Sequence, residues 1–207
     1  MTTRGTAYEL ACLHKLQTWL GMCIYRTGGA GDRGIDLCGW WSPLVLRSEA
    51  RTSIHDRMRV LVQCKAEAKP VGPGIVRELE GTLIRAVWDK LVPLEAVALP
   101  GAEEDVPIAA RDAPLLGVLT SVSGFSKHAL LHARSSRIPM LLLHLAAHDP
   151  SFERLVCTGF VWNDALAGSN GLLGGRCEVG WIDAPRAKGQ KHAMSHAVLY
   201  RDGVAVA

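Results

Sequence analysis

The chain has 207 residues, 48% of them hydrophobic and 21% charged, with a formal net charge of +3. Such a composition excludes a wholly disordered chain and suits one α/β domain with an elaboration. No apolar run approaches the ~20 residues that cross a bilayer, and the mildly basic balance permits a nucleic-acid partner without arguing for one.

The first predicted helix covers residues 7–20, with Thr6 or Thr2 as its cap and Tyr8, Cys12, Leu16 and Leu20 on one apolar stripe. Glu9 sits one position off that stripe, where the helix could lean over a sheet. A carboxylate in a first turn is equally explained by the helix dipole. Strands are predicted at 22–26 and 35–41, either side of a glycine-rich stretch, GGAGDRG at 28–34. Trp40 and Trp41 alternate on the second strand, so one is expected in the core and one at the surface. Residues 42–58 read as an insertion loop before a strand at 59–65.

A turn at 70–74 leads into a helix at 75–91, with Ile75, Leu79, Leu83, Ala86 and Val87 inward. Residues 100–114 form an acidic, proline-bounded loop. A strand at 115–122, a helix at 125–134 and a strand at 139–145 then make a parallel crossover, right-handed by general rule. Beyond residue 150 the sequence turns to short strands and loops around GSNGLLGG. Two parts are expected: a core over 1–150 and an extension over 151–207 packed on it.

Six cysteines, Cys12, Cys23, Cys38, Cys64, Cys157 and Cys177, show no C-x-x-C spacing and read as reduced thiols. His128 and His132, like His192 and His196, are four apart but lack the neighbouring Glu or Cys of a zinc site. No targeting segment is expected in the opening residues.

Gly29, Gly31 and Gly34 spell GxGxxG, but a dinucleotide site needs that loop to open a helix. Here it opens onto IDLCGWW, which reads as a strand. The glycines instead allow a tight turn before Asp36. The next strand ends VQCK, and its alternation places Gln63 and Lys65 on one face and Cys64 on the other. Asp36 and Gln63 then offer oxygens to one cleft, and the Cys64 carbonyl can add a third. That donor set suits Mg²⁺ or Mn²⁺, while Lys65 can orient water or stabilise charge on a phosphoryl group.

Three ordered segments extend the pattern: GTAYE ending at Glu9, GGAGDRGID ending at Asp36, and QCK at 63–65. Together with GVLTSVSGFSKHALLHA at 117–133 and PMLLLHL at 139–145, they resemble the PD-(D/E)xK nuclease superfamily, and within it the Mrr-like restriction endonucleases. TTRGTAYEL, VQCKAE and RELEG are similar to the fungal mitochondrial "required for respiratory growth" branch. The resemblance implies a restriction-endonuclease-like fold: a central mixed sheet flanked by helices, plus a C-terminal loop and strand extension. It implies catalytic roles for Glu9, Asp36, Gln63 and Lys65. The metal would be held by Asp36, Gln63 and the Cys64 carbonyl, with Glu9 reaching it through water. Gln63 replaces the superfamily's second acid, as in Mrr-like members, which lowers the charge offered to metal.

The function expected is a Mg²⁺-dependent DNA endonuclease in organellar DNA maintenance. The alternative is a catalytically weak or inactive nucleic-acid-binding scaffold of the same fold. DNA is the expected partner, a homodimer is compatible with the fold, and mitochondrial localisation follows from the resemblance alone. Arg57, Arg59, Arg77, Arg85 and Lys127 are the expected phosphate contacts.

Overall fold

The structure is a computed structural model and describes residues 3–27, 34–43, 57–88, 113–147, 149–183 and 195–205. Most of the expected loops at 28–34, 42–58 and 100–114 lies outside the described residues, as does the end of the helix expected to reach residue 91.

Helix α1 (Arg4–Leu20) is capped by Thr3, whose hydroxyl accepts the Thr6 N–H, and closed by Gly21 in a left-handed conformation. Its stripe of Tyr8, Cys12, Leu16 and Leu20 is buried, as the spacing predicts. Strands β1 (Cys23–Arg26), β2 (Leu37–Trp41) and β3 (Met58–Lys65) form an antiparallel ladder. Helix α2 (Pro73–Trp88) crosses to β4 (Leu115–Ser121), and α3 (Lys127–Ser135) to β5 (Met140–Ala147), both connections joining parallel neighbours. Strand β6 (Leu155–Trp162) returns antiparallel and completes a six-stranded sheet in the order β1 to β6. The fold is therefore a mixed sheet flanked by helices, as the sequence implies.

The single-turn α4 (Asp164–Ala167) precedes a second sheet of β7 (Cys177–Asp183), β8 (Ser195–Arg201) and β9 (Val204–Ala205). The main sheet runs through the boundary expected near residue 150, because β6 pairs with β5 along its length.

Two apolar layers cover the main sheet. On one face α1 packs on Val60, Val62, Val118, Leu141 and Leu143, joined by Cys177, Ala197 and Leu199 of the small sheet. On the other, Val76, Leu79 and Leu83 of α2 and Ala129 and Ala133 of α3 cover Leu61, Leu119 and Leu142. Each fully buried Leu or Val contributes about 1.5–3 kcal/mol, so these layers fix the helices over the sheet. Gly117 lets α2 lie close to β4: a Cβ there would stand 2.4 Å from Leu83 Cδ1.

Two expectations about burial are corrected. The inward stripe of α2 uses Val76, while Val87 is 52% exposed; Val87 lies a further 100° round the helix from Ala86, past the covered face. Trp40 and Trp41 are both buried, because β2 is an inner strand covered on both sides.

Candidate functional site

The candidate site lies at the C-terminal end of strand β3, where Gln63, Cys64 and Lys65 stand. Its even positions, Val60, Val62 and Cys64, pack with the α1 layer, while Leu61 packs with the α2 layer. Gln63 and Lys65 follow Leu61, and the Gln63 amide accordingly meets α2. The loops after β3 and β4 are tied together beyond this point. Val122 N–H donates to the Lys65 carbonyl at 3.1 Å, Val71 N–H to Gly124 at 2.9 Å, and Ser126 N–H to Val71 at 2.9 Å. These bonds fix the rim of the site.

Asp36 stands at the entry to β2. Its backbone N–H donates to Val62 at 2.9 Å, continuing the ladder by one residue. Its Oδ2 accepts the Cys64 N–H at 2.6 Å. A strand residue's N–H and C=O point to the same side, so the Cys64 carbonyl is also directed toward the β2 side. Beneath, the Cys64 thiol is pushed well above the ordinary thiol range by burial and by its neighbour Cys12. Cys12 Sγ in turn lies 3.3 Å from Thr120 Oγ1. The Cys64 side chain thus packs with the α1 layer, while its backbone N–H holds the Asp36 carboxylate.

Gln63 is 2% exposed. Its Nε2 donates to Glu78 Oε1 of α2 at 3.3 Å. Its Oε1 is buried without a hydrogen-bond partner among the described residues. Such an orphaned acceptor is costly unless something fills it. The oxygens at this end of β3 are thus those of the Asp36 carboxylate, the Gln63 amide and the Cys64 carbonyl, the types a hard divalent cation takes. Among the described residues no group of three or more His, Cys, Asp or Glu gathers. Lys65, half-buried, lies on the Gln63 face of β3, two residues on.

The structure brings together Asp36, Gln63, the Cys64 backbone and Lys65. Glu9 belongs to α1, on the opposite layer. Its Oε2 accepts from Arg26 Nε at 2.7 Å, and Arg26 is the ladder partner of Leu37, next to Asp36. Glu9 therefore borders the site through an ion pair.

Of the expected phosphate contacts, Arg77 is exposed beside Glu78, and Lys127 is exposed at the start of α3, at the same end of the sheet as Lys65. Arg85 lies about 12 Å farther along α2 than Arg77, at 1.5 Å per residue. Arg57 and Arg59 correct the expectation: they sit at the start of β3, Arg59 about 20 Å from Lys65 at ~3.3 Å per residue. Arg59 is also 6% exposed and donates from Nε to the Ala113 carbonyl at 3.2 Å.

Sequence reasoning missed Glu78. The signal was present in the ELE triplet around Leu79. Glu78 and Glu80 leave α2 about 200° apart, at 100° per residue. Glu78 meets Gln63, whereas Glu80 accepts from Ser136 and pairs with His132 of α3.

Comparison with known proteins places the chain near one family. Residues 1–53 and 43–93 match the sequence model of Required for respiratory growth protein 7. The matched segments hold Glu9, Asp36, Gln63, Lys65 and Glu78. An uncharacterized mitochondrial protein of Schizosaccharomyces pombe is 28% identical over 168 residues, 79% of this chain and 52% of that protein. The chain thus spans about half the length of this relative. The similarity to the respiratory-growth branch rests on these two findings, and with them the protein is mitochondrial. No solved structure matches.

Proposed function

We propose that the protein is a divalent-cation-dependent endonuclease that hydrolyses phosphodiester bonds of mitochondrial DNA. One observation supports this above the rest: the buried Gln63 Oε1, without a partner among the described residues, on the strand whose backbone is tied to Asp36. Asp36, Gln63 and the Cys64 carbonyl would hold Mg²⁺ or Mn²⁺, which supplies charge to polarise a phosphoryl oxygen and acidify water.

The chain's own residues do the rest. Asp36 is the one anionic donor of the three, and the Cys64 N–H fixes its carboxylate. Lys65 places an ammonium on the same face as Gln63, suited to charge developing on the phosphoryl oxygens. Arg77 and Lys127 supply exposed positive charge at the same end of the sheet, suited to flanking phosphates that position without reading bases.

The test is incubation of supercoiled plasmid with the purified protein in Mg²⁺, in Mn²⁺ and in chelator. Nicked or linear product is expected with a cation and not in chelator. Binding of DNA without product in either metal would support a scaffold instead.

A further inference from the structure

Resting on the cation reading above, we infer that Glu78 is a positioning residue: it fixes the Gln63 amide so that Oε1, not Nε2, is offered to the cation. A primary amide is nearly symmetric in shape, and a strand alone does not choose which end faces a site. Glu78 makes the choice. A carboxylate accepts and does not donate, so Nε2 turns to it, at 3.3 Å. Oε1 is left buried and unpaired among the described residues.

The main chain is shaped around this contact. Gly34, at φ +78°, passes directly over it: a Cβ there would stand 2.9 Å from Gln63 Nε2 and 3.1 Å from Glu78 Oε1. Only glycine takes this left-handed conformation without strain and leaves the pair room. Three segments that are distant in sequence therefore meet at one hydrogen bond: the turn before Asp36, the end of β3 and the second turn of α2.

The same geometry explains the amide at position 63. A glutamate there would face the Glu78 carboxylate at hydrogen-bond distance, and the pair would ease its like-charge repulsion only by taking up and sharing a proton. With glutamine, the acidic charge stays on α2 and the strand contributes a neutral oxygen.

Calorimetric titration with Mn²⁺ of the wild type, Glu78→Ala and Glu78→Gln tests the assignment. Glu78 is exposed at the helix surface, so both variants should fold, which circular dichroism checks. Glu78→Ala frees the amide and should weaken Mn²⁺ binding about tenfold, the equivalent of one charge-assisted hydrogen bond. Glu78→Gln keeps an acceptor for Nε2 and should restore binding to within about threefold of wild type, the remainder reflecting the lost charge. Wild-type affinity in Glu78→Ala would overturn the clamp while leaving the cation site standing. Equal losses in both variants would make Glu78 a direct charge donor and overturn the positioning role. No Mn²⁺ binding by the wild type would overturn the cation site itself and the clamp with it.

Discussion

The Asp36 carboxylate reaches across the β2–β3 ladder and accepts the Cys64 N–H at 2.6 Å, so a side chain completes a pairing the backbone leaves open. That bond ties the anionic donor to the strand that carries Gln63 and Lys65. On the proposed reading Asp36 then has two separable roles, one in stability and one in charge.

Substitution separates the two roles. Asp36→Asn keeps an oxygen for the Cys64 N–H and should change stability by less than ~1 kcal/mol while abolishing divalent-cation binding. Asp36→Ala strands the N–H and should cost roughly 1–3 kcal/mol. Urea unfolding alongside Mn²⁺ titration reads both effects. An Asp36→Asn protein that binds Mn²⁺ as wild type would remove Asp36 from the donor set.

Asn163 should be the costliest polar side chain to lose. It is 3% exposed, and its Nδ2 faces the carbonyls of Ala133, Ser136 and Ile138 at 3.2, 3.0 and 2.7 Å. Its Oδ1 accepts the N–H groups of Met140 and Leu166 at 3.1 and 3.2 Å. It thus joins the end of α3, the start of β5 and α4. Asn163→Ala should destabilise by about 3 kcal/mol in urea unfolding, since several buried backbone groups lose their partner together. A loss under ~1 kcal/mol would show that these groups find other partners.

Much of this was legible beforehand. The stripe from Tyr8 to Leu20, the strand ending at Lys65 and the parallel β4–α3–β5 unit follow from periodicity alone, because each buries one regular face. The split of Gln63 and Lys65 from Cys64 follows from strand alternation. The Gln63–Glu78 contact was not legible, because it depends on how α2 lies over β3, which packing at Gly117 and Leu83 decides. Arg59 misled for a similar reason: an arginine on the strand of Gln63 and Lys65 looks like a neighbour of both until the strand's direction puts it at the far end. Strand β6, LVCTGFVW, was hidden because it lacks a clean polar–apolar alternation and lies beyond the boundary expected near residue 150.

Nucleic-acid binding should follow the corrected placement of the basic residues. Arg77→Ala and Lys127→Ala should each lower the magnitude of the log affinity against log salt slope by about 0.9 on duplex DNA, with similar effect on every sequence. Arg57→Ala, at the opposite end of β3, should leave slope and affinity unchanged. Fluorescence anisotropy over a salt series measures this. A slope that responds to Arg57 and not to Arg77 or Lys127 would move the binding face to the other end of the sheet.

The central claim is that this site performs hydrolysis and does not merely hold nucleic acid. Plasmid nicking by wild type and Lys65→Ala, with DNA affinity measured on the same preparations, tests it most directly. The account predicts cation-dependent nicking by the wild type. Lys65→Ala should bind DNA with little change yet nick at least about a hundredfold more slowly, as expected when a group serving the transition state is removed. A wild-type protein that binds DNA but leaves the plasmid intact in Mg²⁺ and Mn²⁺, or a Lys65→Ala protein that nicks at the wild-type rate, would contradict it.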